Sequence, residues 1–304
     1  MEHVQVLIVG GGMAGMSAAI WCDRLGLSAV LLEQSQQLGG QLLQIHNEIW
    51  DFPPCVYPNG TALLKELLGH RTLHSFDIRL GEKLLAVDAR NRQVKTNKAT
   101  YQTDFLIVAT GVRPNTIPAL ESCGQVLVPW FSTTAQGETV SGQDVAIVGG
   151  GDRAVESACN LAPYARNIYL LVRRNSFRAR PQWVERLNSC SNVQVLFETE
   201  IAACTEQDGK AVLVLRSSLP ETPATLAVHW VLPRIGVRGN SEGLDGLATY
   251  GDGYVVTDVC QATASGWIYA IGDVTNGAAY ASLSLAAGQA MKAVKHISLQ
   301  AKES

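Results

Sequence analysis

Apolar positions in this chain fall into continuous runs rather than alternating ones, and one arrangement of these runs occurs twice. Val4 to Val9 reads as an apolar strand, followed by Gly10, Gly12 and Gly15, a helical stretch from Met16 to Leu25, and a second apolar strand from Ala29 to Leu32 that ends at Glu33. The plan restarts at Asp144. A strand runs to Val148, then come Gly149, Gly151 and Ala154, a helix to about Ala162, and a strand from Ile168 to Val172 ending at Arg173. Strands that are apolar on both faces belong in parallel sheets covered by other layers. Each copy is therefore predicted to be a βαβ unit.

A stretch rich in β-formers and turn residues follows each unit, 78–101 in one copy and 193–228 in the other. Each stretch closes on an apolar strand ending in glycine, Phe105 to Gly111 and His229 to Gly236. The tail returns to a strand, Trp267 to Ile271, then Gly272-Asp273 and an Ala-rich helix from about Ala281. Because the tail has no βαβ unit of its own, it is assigned back to the first domain. The expected fold is α/β, with two Rossmann-like, three-layer ββα dinucleotide-binding domains. Residues 1–113 and 239–304 would form the first, discontinuous domain and residues 114–238 the second.

The glycines carry the chemistry. In Gly-x-Gly-x-x-Gly the first glycine makes a tight turn, the second lets the backbone approach a pyrophosphate, and the third lets helix and strand pack closely. Met13 and Ala14 lie in this cradle, and the helix that follows presents free N–H groups and its positive end to the phosphates. Glu33, about twenty residues on, is placed to accept hydrogen bonds from ribose hydroxyls. The alternative is a Gly-rich tight turn with a surface glutamate. In the second unit Gly149, Gly151 and Ala154 repeat the cradle, with Asp152, Arg153 and Glu156 on its helix. Its second strand ends in Arg173-Arg174, with Arg178 nearby, and guanidinium groups there favour a 2′-phosphate, hence NADP over NAD. A solvated basic face is the competing account. Arg153 beside this cradle could pair with a pyrophosphate.

Composition narrows the picture without changing it. Across 304 residues, 17% charged and 47% hydrophobic residues indicate a large buried interior, and a net charge of -3 argues against a nucleic-acid or membrane-surface role. The uncharged run from Val6 to Cys22 lacks a basic leader and is interrupted by Gly10, Gly11, Gly12 and Gly15, so a strand, turn and helix are expected there, not a membrane span. Cytoplasmic location is the expectation. Cysteines at 22, 55, 123, 159, 190, 204 and 260 include no Cys-x-x-Cys and no metal-ligand spacing, which excludes a disulfide scaffold as the natural reading.

Taken together, these segments resemble the low-molecular-weight thioredoxin reductases and their relatives among two-domain flavoproteins. The resemblance rests on Gly10-x-Gly12-x-x-Gly15, Gly39-Gly40-Gln41-Leu42, Ala109-Thr110-Gly111, the segment from Gly149 to Glu156, Arg173-Arg174-x-x-x-Arg178-Ala179, and Gly272-Asp273. It implies an FAD-dependent oxidoreductase, with FAD in the first domain and NADPH in the second, and a homodimer. It also implies that Gly40 and Gln41 lie along the flavin, Thr110 and Gly111 approach the FAD, Asp273 holds the ribityl chain, and Tyr280-Ala281-Ser282 leads a helix aimed at the flavin pyrimidine. Tyr280 itself is read as a packing residue. His46 is the one histidine near the flavin loop.

Where thioredoxin reductases carry their redox Cys-x-x-Cys, counting back from Gly149 reaches Ser132-Thr133-Thr134-Ala135. A hydroxyl or methyl group cannot accept two electrons from a flavin, so thioredoxin reduction through that site is excluded. The segment from Leu43 to Phe52 is one residue longer than the family leads us to expect, and Asp51 stands where the family usually has asparagine. Three acceptor routes stay open at this point. One passes electrons to ferredoxin or flavodoxin, as relatives without the dithiol do. A second uses a relocated dithiol, with Cys55 the leading candidate. A third places a second FAD in the nicotinamide domain, as in diflavin-linked disulfide oxidoreductases, an idea permitted by Arg153 and Pro233, which are odd neighbours for NADPH. A non-catalytic flavin-binding sensor or scaffold is the alternative of another class.

Overall fold

A computed structural model describes residues 1–303 of the chain. Two compact units emerge, Met1–Arg113 with Val237–Ser304, and Pro114–Gly236.

The first unit opens with β1 (Glu2–Val9), α1 (Met13–Arg24) and β2 (Ala29–Glu33), then two short helices, α2 (Gly60–Leu68) and α3 (Arg71–Ser75). The strands β3 (Asp77–Leu80), β4 (Leu84–Asp88), β5 (Gln93–Thr96) and β6 (Thr100–Val108) follow, and β7 (Val112–Pro114) leaves the unit. One sheet takes the order β3-β2-β1-β6-β5-β4. Its β3, β2, β1 and β6 run parallel, whereas β5 pairs antiparallel with β6 and β4 antiparallel with β5. Val6, Leu7, Ile8, Leu31, Leu32, Leu106 and Ile107 are fully buried on both faces of this sheet, as continuous apolar runs demand.

The second unit contains β8 (Asp144–Val148), α4 (Asp152–Leu161), β9 (Asn167–Leu171), α5 (Pro181–Asn188) and β10 (Val193–Leu196). An antiparallel group follows, β11 (Thr199–Gln207), β12 (Lys210–Ser217) and β13 (Thr225–Val228), and β14 (Trp230–Pro233) rejoins the parallel sheet in the order β10-β9-β8-β14. Strand alternation explains the layers. Val145, Ile147, Ile168 and Leu170 pack with Ala154, Val155 and Ala158 of α4 on one face. Ala146, Val148, Leu171 and Val231 pack with Ala211, Leu213, Leu226 and Val228 of the antiparallel sheet on the other.

The chain then returns to the first unit through β15 (Val237–Gly239), a small ribbon of β16 (Thr249–Tyr250) and β17 (Tyr254–Val255), and β18 (Ile268–Ala270). Strand β18 lies parallel to the end of β6. Two helices complete the unit, α6 (Asp273–Asn276) and α7 (Leu283–Glu303). Helix α7 packs on α1, and the small residues Ala18, Ala19, Ala290 and Ala293 are fully buried. Small side chains let helix backbones lie close. No helix among the described residues is long and apolar enough to cross a membrane.

Candidate cofactor-binding sites

In the first unit, Gly10 takes φ +113°, where a side chain would be strained. A Cβ there would also stand 2.3 Å from the Ala109 carbonyl oxygen. At Gly15 a Cβ would meet the Gly10 carbonyl oxygen at 1.8 Å, so α1 starts hard against the turn. Above Gly12 there is open space: nothing would lie within 4 Å of a Cβ. Gly12 caps α1 with no side-chain hydrogen bond, leaving the amides of Met13 and Ala14 without a side-chain acceptor beside that space. Free N–H groups and an open approach suit a pyrophosphate. Helix α1 begins at Met13, three residues earlier than the apolar pattern suggests, because the cradle's last turn is already helical.

Glu33 is buried at the end of β2, and its two carboxylate oxygens accept from the Gly11 and Ser35 amides, each at 2.7 Å. Gly40 lies against the cradle, 3.2 Å from the Gly12 Cα measured from an ideal Cβ, and the Gly39 amide donates to the Gly11 carbonyl at 2.9 Å. Gln41 Nε2 donates to Asp273 Oδ2 at 2.8 Å, which joins the Gly-Gly-Gln segment to the start of α6. Gly272 is at φ +73°, and a Cβ on it would meet Ala14 at 2.8 Å, so Gly272-Asp273 rests on the first turn of α1. Thus Gly10, Gly12, Met13, Ala14, Gly15, Gly40, Gln41, Gly272 and Asp273 converge on one cradle.

Two further residues organise this region. Asn240 embraces the Thr110-Gly111 turn: Thr110 Oγ1 donates to the Asn240 carbonyl at 2.7 Å, Asn240 Nδ2 donates to the Thr110 carbonyl at 3.2 Å, and its amide donates to the Gly111 carbonyl at 2.9 Å. Gln289, buried on α7, accepts from the Gly272 amide at 2.8 Å and donates to Asn276 Oδ1 at 2.7 Å. Neither has a local sequence signal, since each acts on residues brought to it only by the return of the tail. Ala281 and Ser282 are exposed ahead of α7, whose Ser284 hydroxyl donates to the Asp51 carbonyl at 3.4 Å. Tyr280 does not pack: it is 72% exposed, as Trp50 is at 75%, so two large aromatic rings lie open to solvent. Burial of such surface is worth more than ~1 kcal/mol per ring and suits a broad apolar ligand.

The second cradle repeats the first. Gly149 takes φ +143°, and a Cβ there would stand 2.4 Å from the Arg234 carbonyl oxygen, while Gly151, the cap of α4, has open space above it. The Gly149 amide donates to the Leu171 carbonyl as the Gly10 amide does to Leu32. That register makes Val172, not Arg173, the counterpart of Glu33. Val172 packs on Gly150 in the place where Glu33 approaches Gly11. Arg173, Arg174 and Arg178 are exposed on the loop that follows, and the Arg178 amide donates to the Gly150 carbonyl at 2.7 Å, folding the loop over the cradle. Asp152 anchors that loop, accepting from the Arg180 amide and from Arg180 Nε, both at 2.7 Å.

Arg234 is a half-buried cation of this unit. Its guanidinium donates to the carbonyls of Pro129 (2.6 Å) and Phe131 (2.5 Å) and to Ser157 Oγ at 3.0 Å. Burial lowers its pKa to about 10, with Arg153 adding to the effect and Glu156 opposing it, so it stays charged at neutral pH. Arg153 lies over the Trp130 ring at 5.8 Å. Next to this clamp, Ser132 to Ala135 forms a hydrogen-bonded turn: the Ser132 amide donates to Gln136 Oε1 at 3.0 Å, the Ala135 amide donates to Ser132 Oγ at 3.2 Å, and Asn160 Nδ2 donates to Thr133 Oγ1 at 3.3 Å.

Cys55 is exposed and forms no disulfide. The neighbouring thiols lie in the second unit. Burial pushes Cys159 up to about 11, with Cys190 beside it adding, and pushes Cys204 up to about 12, with Cys123 beside it adding. Such thiols hold almost no thiolate at neutral pH and are poor redox nucleophiles. No group of His, Cys, Asp or Glu among the described residues could hold a metal ion.

Known proteins agree with this architecture. The chain is 29% identical to a ferredoxin–NADP reductase of Limosilactobacillus fermentum, over 90% of this chain and 86% of that one. It is 28% identical to a thioredoxin reductase of Chlamydia trachomatis, over 90% and 91%. The crystal structure of Lactococcus lactis thioredoxin reductase shares its fold, with a TM-score of 0.79 at 22% identity, covering 99% of this chain and 100% of that one. The profile of pyridine nucleotide-disulphide oxidoreductases matches residues 4–296. The chain therefore belongs to the pyridine nucleotide-disulphide oxidoreductase family of FAD- and NAD(P)-dependent oxidoreductases.

Proposed function

We propose that this protein is an FAD-dependent NADPH reductase that delivers electrons to a small redox protein of the ferredoxin or flavodoxin kind, without an internal disulfide. The observation that carries this reading is the turn at Ser132 to Ala135, which holds hydroxyl and methyl groups in a closed hydrogen-bond pattern where the dithiol reductases need two sulfurs. The relatives named ferredoxin–NADP reductase support the acceptor class.

FAD, when bound, would supply the step between two-electron hydride chemistry and one-electron transfer. The chain's own residues do the rest. The Gly10-Gly12-Gly15 cradle would seat the pyrophosphate on free amides of α1, and Glu33 would accept from ribose hydroxyls while it holds the Gly11 turn in place. Gln41 and Asp273, already bonded to one another, would fix the ribityl side, and Thr110-Gly111, braced by Asn240, would form the wall. In the second unit Gly149, Gly151 and the α4 amides would take the NADPH pyrophosphate, Arg153 would neutralise it, and Arg173, Arg174 and Arg178 would select the 2′-phosphate.

Anaerobic titration with NADPH tests this. The flavin band near 450 nm should bleach at about one equivalent per chain, and ferredoxin or flavodoxin should restore it. A band that NADPH leaves unchanged would overturn the reading. Flavin content is the second readout: about one per chain fits NADPH in the second unit, whereas about two would assign that cradle to a second FAD.

A further inference from the structure

An open groove of about 650 Å³ lies at the carboxyl ends of β9 and β10, lined by Arg173, Arg174, Glu198, Glu200, Arg216 and Ser218 among others. Two backbone bonds build it: the Glu198 amide donates to the Arg174 carbonyl at 3.0 Å, and the Thr199 amide to that of Val172 at 3.1 Å. They stitch the β11–β12 hairpin to the arginine loop. Within the hairpin Glu200 stands opposite Arg216. Its carboxylate is shared between two guanidinium groups, Arg216 NH2 at 3.3 Å and Arg173 Nε at 3.7 Å. Glu198 is engaged elsewhere, accepting from the Ser218 hydroxyl.

From this arrangement we infer that Arg216 is a further specificity-determining residue for the nucleotide, closing with Arg173 on the ribose 2′-phosphate, and that Glu200 is the internal anion the phosphate must displace. The inference rests on the NADPH reading above and names a residue outside the arginine loop that the motif supplies. Arg173 and Arg216 are 75% and 74% exposed, and exposed ion pairs contribute little, so a dianionic phosphate that reaches both forks displaces Glu200 at small cost. Once displaced, Glu200 remains in the groove as a like charge and weakens the phosphate's hold. Two opposed effects on one ligand follow: removal of Arg216 weakens 2′-phosphate binding, and neutralisation of Glu200 strengthens it.

The test uses the purified full-length holoprotein and calorimetric titration with 2′,5′-ADP, with 5′-AMP as the probe lacking the 2′-phosphate. Arg216→Gln should weaken 2′,5′-ADP about tenfold, the loss of one charge-assisted contact, and leave 5′-AMP within about twofold. Arg216→Lys should recover part of the loss, because it keeps the charge without the fork. Glu200→Gln should tighten 2′,5′-ADP about threefold, a gain that misfolding cannot produce. If Arg173→Gln loses about tenfold while Arg216→Gln and Glu200→Gln match the wild type, Arg216 serves only the hairpin and the inference is overturned. If wild-type protein binds neither 2′,5′-ADP nor NADPH, the NADPH reading itself falls, and this inference falls with it.

Discussion

A methyl group on Gly10 would fall 2.3 Å from the Ala109 carbonyl oxygen, and one on Gly149 would fall 2.4 Å from that of Arg234. The first turns of the two cradles are thus under the same steric constraint. They diverge at the third glycine position and at the end of the second strand. Gly15 abuts the Gly10 carbonyl, whereas its counterpart Ala154 already carries a methyl group and is fully buried. Glu33 bonds the Gly11 turn, whereas Val172 only packs on Gly150. The same βαβ plan is therefore finished with a carboxylate that bonds the glycine turn in one unit and with an apolar residue followed by arginines in the other. Shared glycines hold the backbone, and the two units differ at the last residue of β2 and the first residue past β9.

The largest expected effect separates the third positions. Gly15→Ala would force a Cβ to 1.8 Å from the Gly10 carbonyl oxygen, so α1 must move away from the cradle. Overpacking of this kind costs about 1–3 kcal/mol or more, and the variant should purify with less than about a tenth of the wild-type flavin. Ala154→Gly should lose the helix preference of alanine and one buried methyl group, about 1–2 kcal/mol in thermal unfolding, and bind nucleotide as before. Full flavin content in Gly15→Ala would show that the close approach does not matter.

Next comes the exchange of strand-end residues. Glu33→Val removes the acceptor of two amides, and leaving such groups unpaired costs about 1–3 kcal/mol apiece. FAD affinity, measured by reconstitution of the apoprotein, should fall at least about tenfold. The reverse change, Val172→Glu, places a carboxylate where the 2′-phosphate would approach. The ratio of kcat/KM for NADPH over NADH should drop about tenfold or more, through both loss of NADPH and gain of NADH. An unchanged ratio would mean that the arginines around the groove, not position 172, set the preference.

Much of this comparison was legible in the sequence. The paired βαβ units showed themselves because parallel strands covered on both faces must be apolar throughout, and the glycines because their spacing follows from backbone contact with phosphate. The α/β fold with two such domains is what the structure and the family membership bear out. The counterpart of Glu33 was not legible. The apolar run ends at Val172 in one copy and at Leu32 in the other, and only the pairing of Gly149 with Leu171 and of Gly10 with Leu32 reveals the one-residue offset. Asn240, Gln289 and Arg234 were equally hidden, because each serves a segment at least 13 and up to 130 residues away. Tyr280 was misread for a different reason: a lone aromatic is ordinarily packed, and nothing local shows that this one lies open.

The smallest expected effect compares how the first strands of the two units are anchored. Asp144, buried at the start of β8, accepts from Arg166 Nε and Asn167 Nδ2, each at 2.9 Å, and lies 3.8 Å from His229 Nδ1. The Arg166 hydrogen bonds hold its carboxyl below the usual range, with burial opposing and Asn167 assisting. At the start of β1, Glu2 is exposed and pairs with Arg79 at 2.6 Å, which also lowers its pKa. Both carboxylates thus contribute stability that is full above the ordinary carboxylate pKa of about 4 and is lost as pH falls through the lowered folded-state value. They differ in burial. Asp144→Asn should cost about 1–3 kcal/mol at pH 7, and its deficit against the wild type should shrink as the pH is taken from about 4 towards 2. Glu2→Gln should stay within about 1 kcal/mol throughout, since exposed pairs are screened. Chemical denaturation of both variants at a series of pH values reads the difference. A deficit in Asp144→Asn that does not change with pH would mean that packing at β8, not the charge on Asp144, anchors the second sheet.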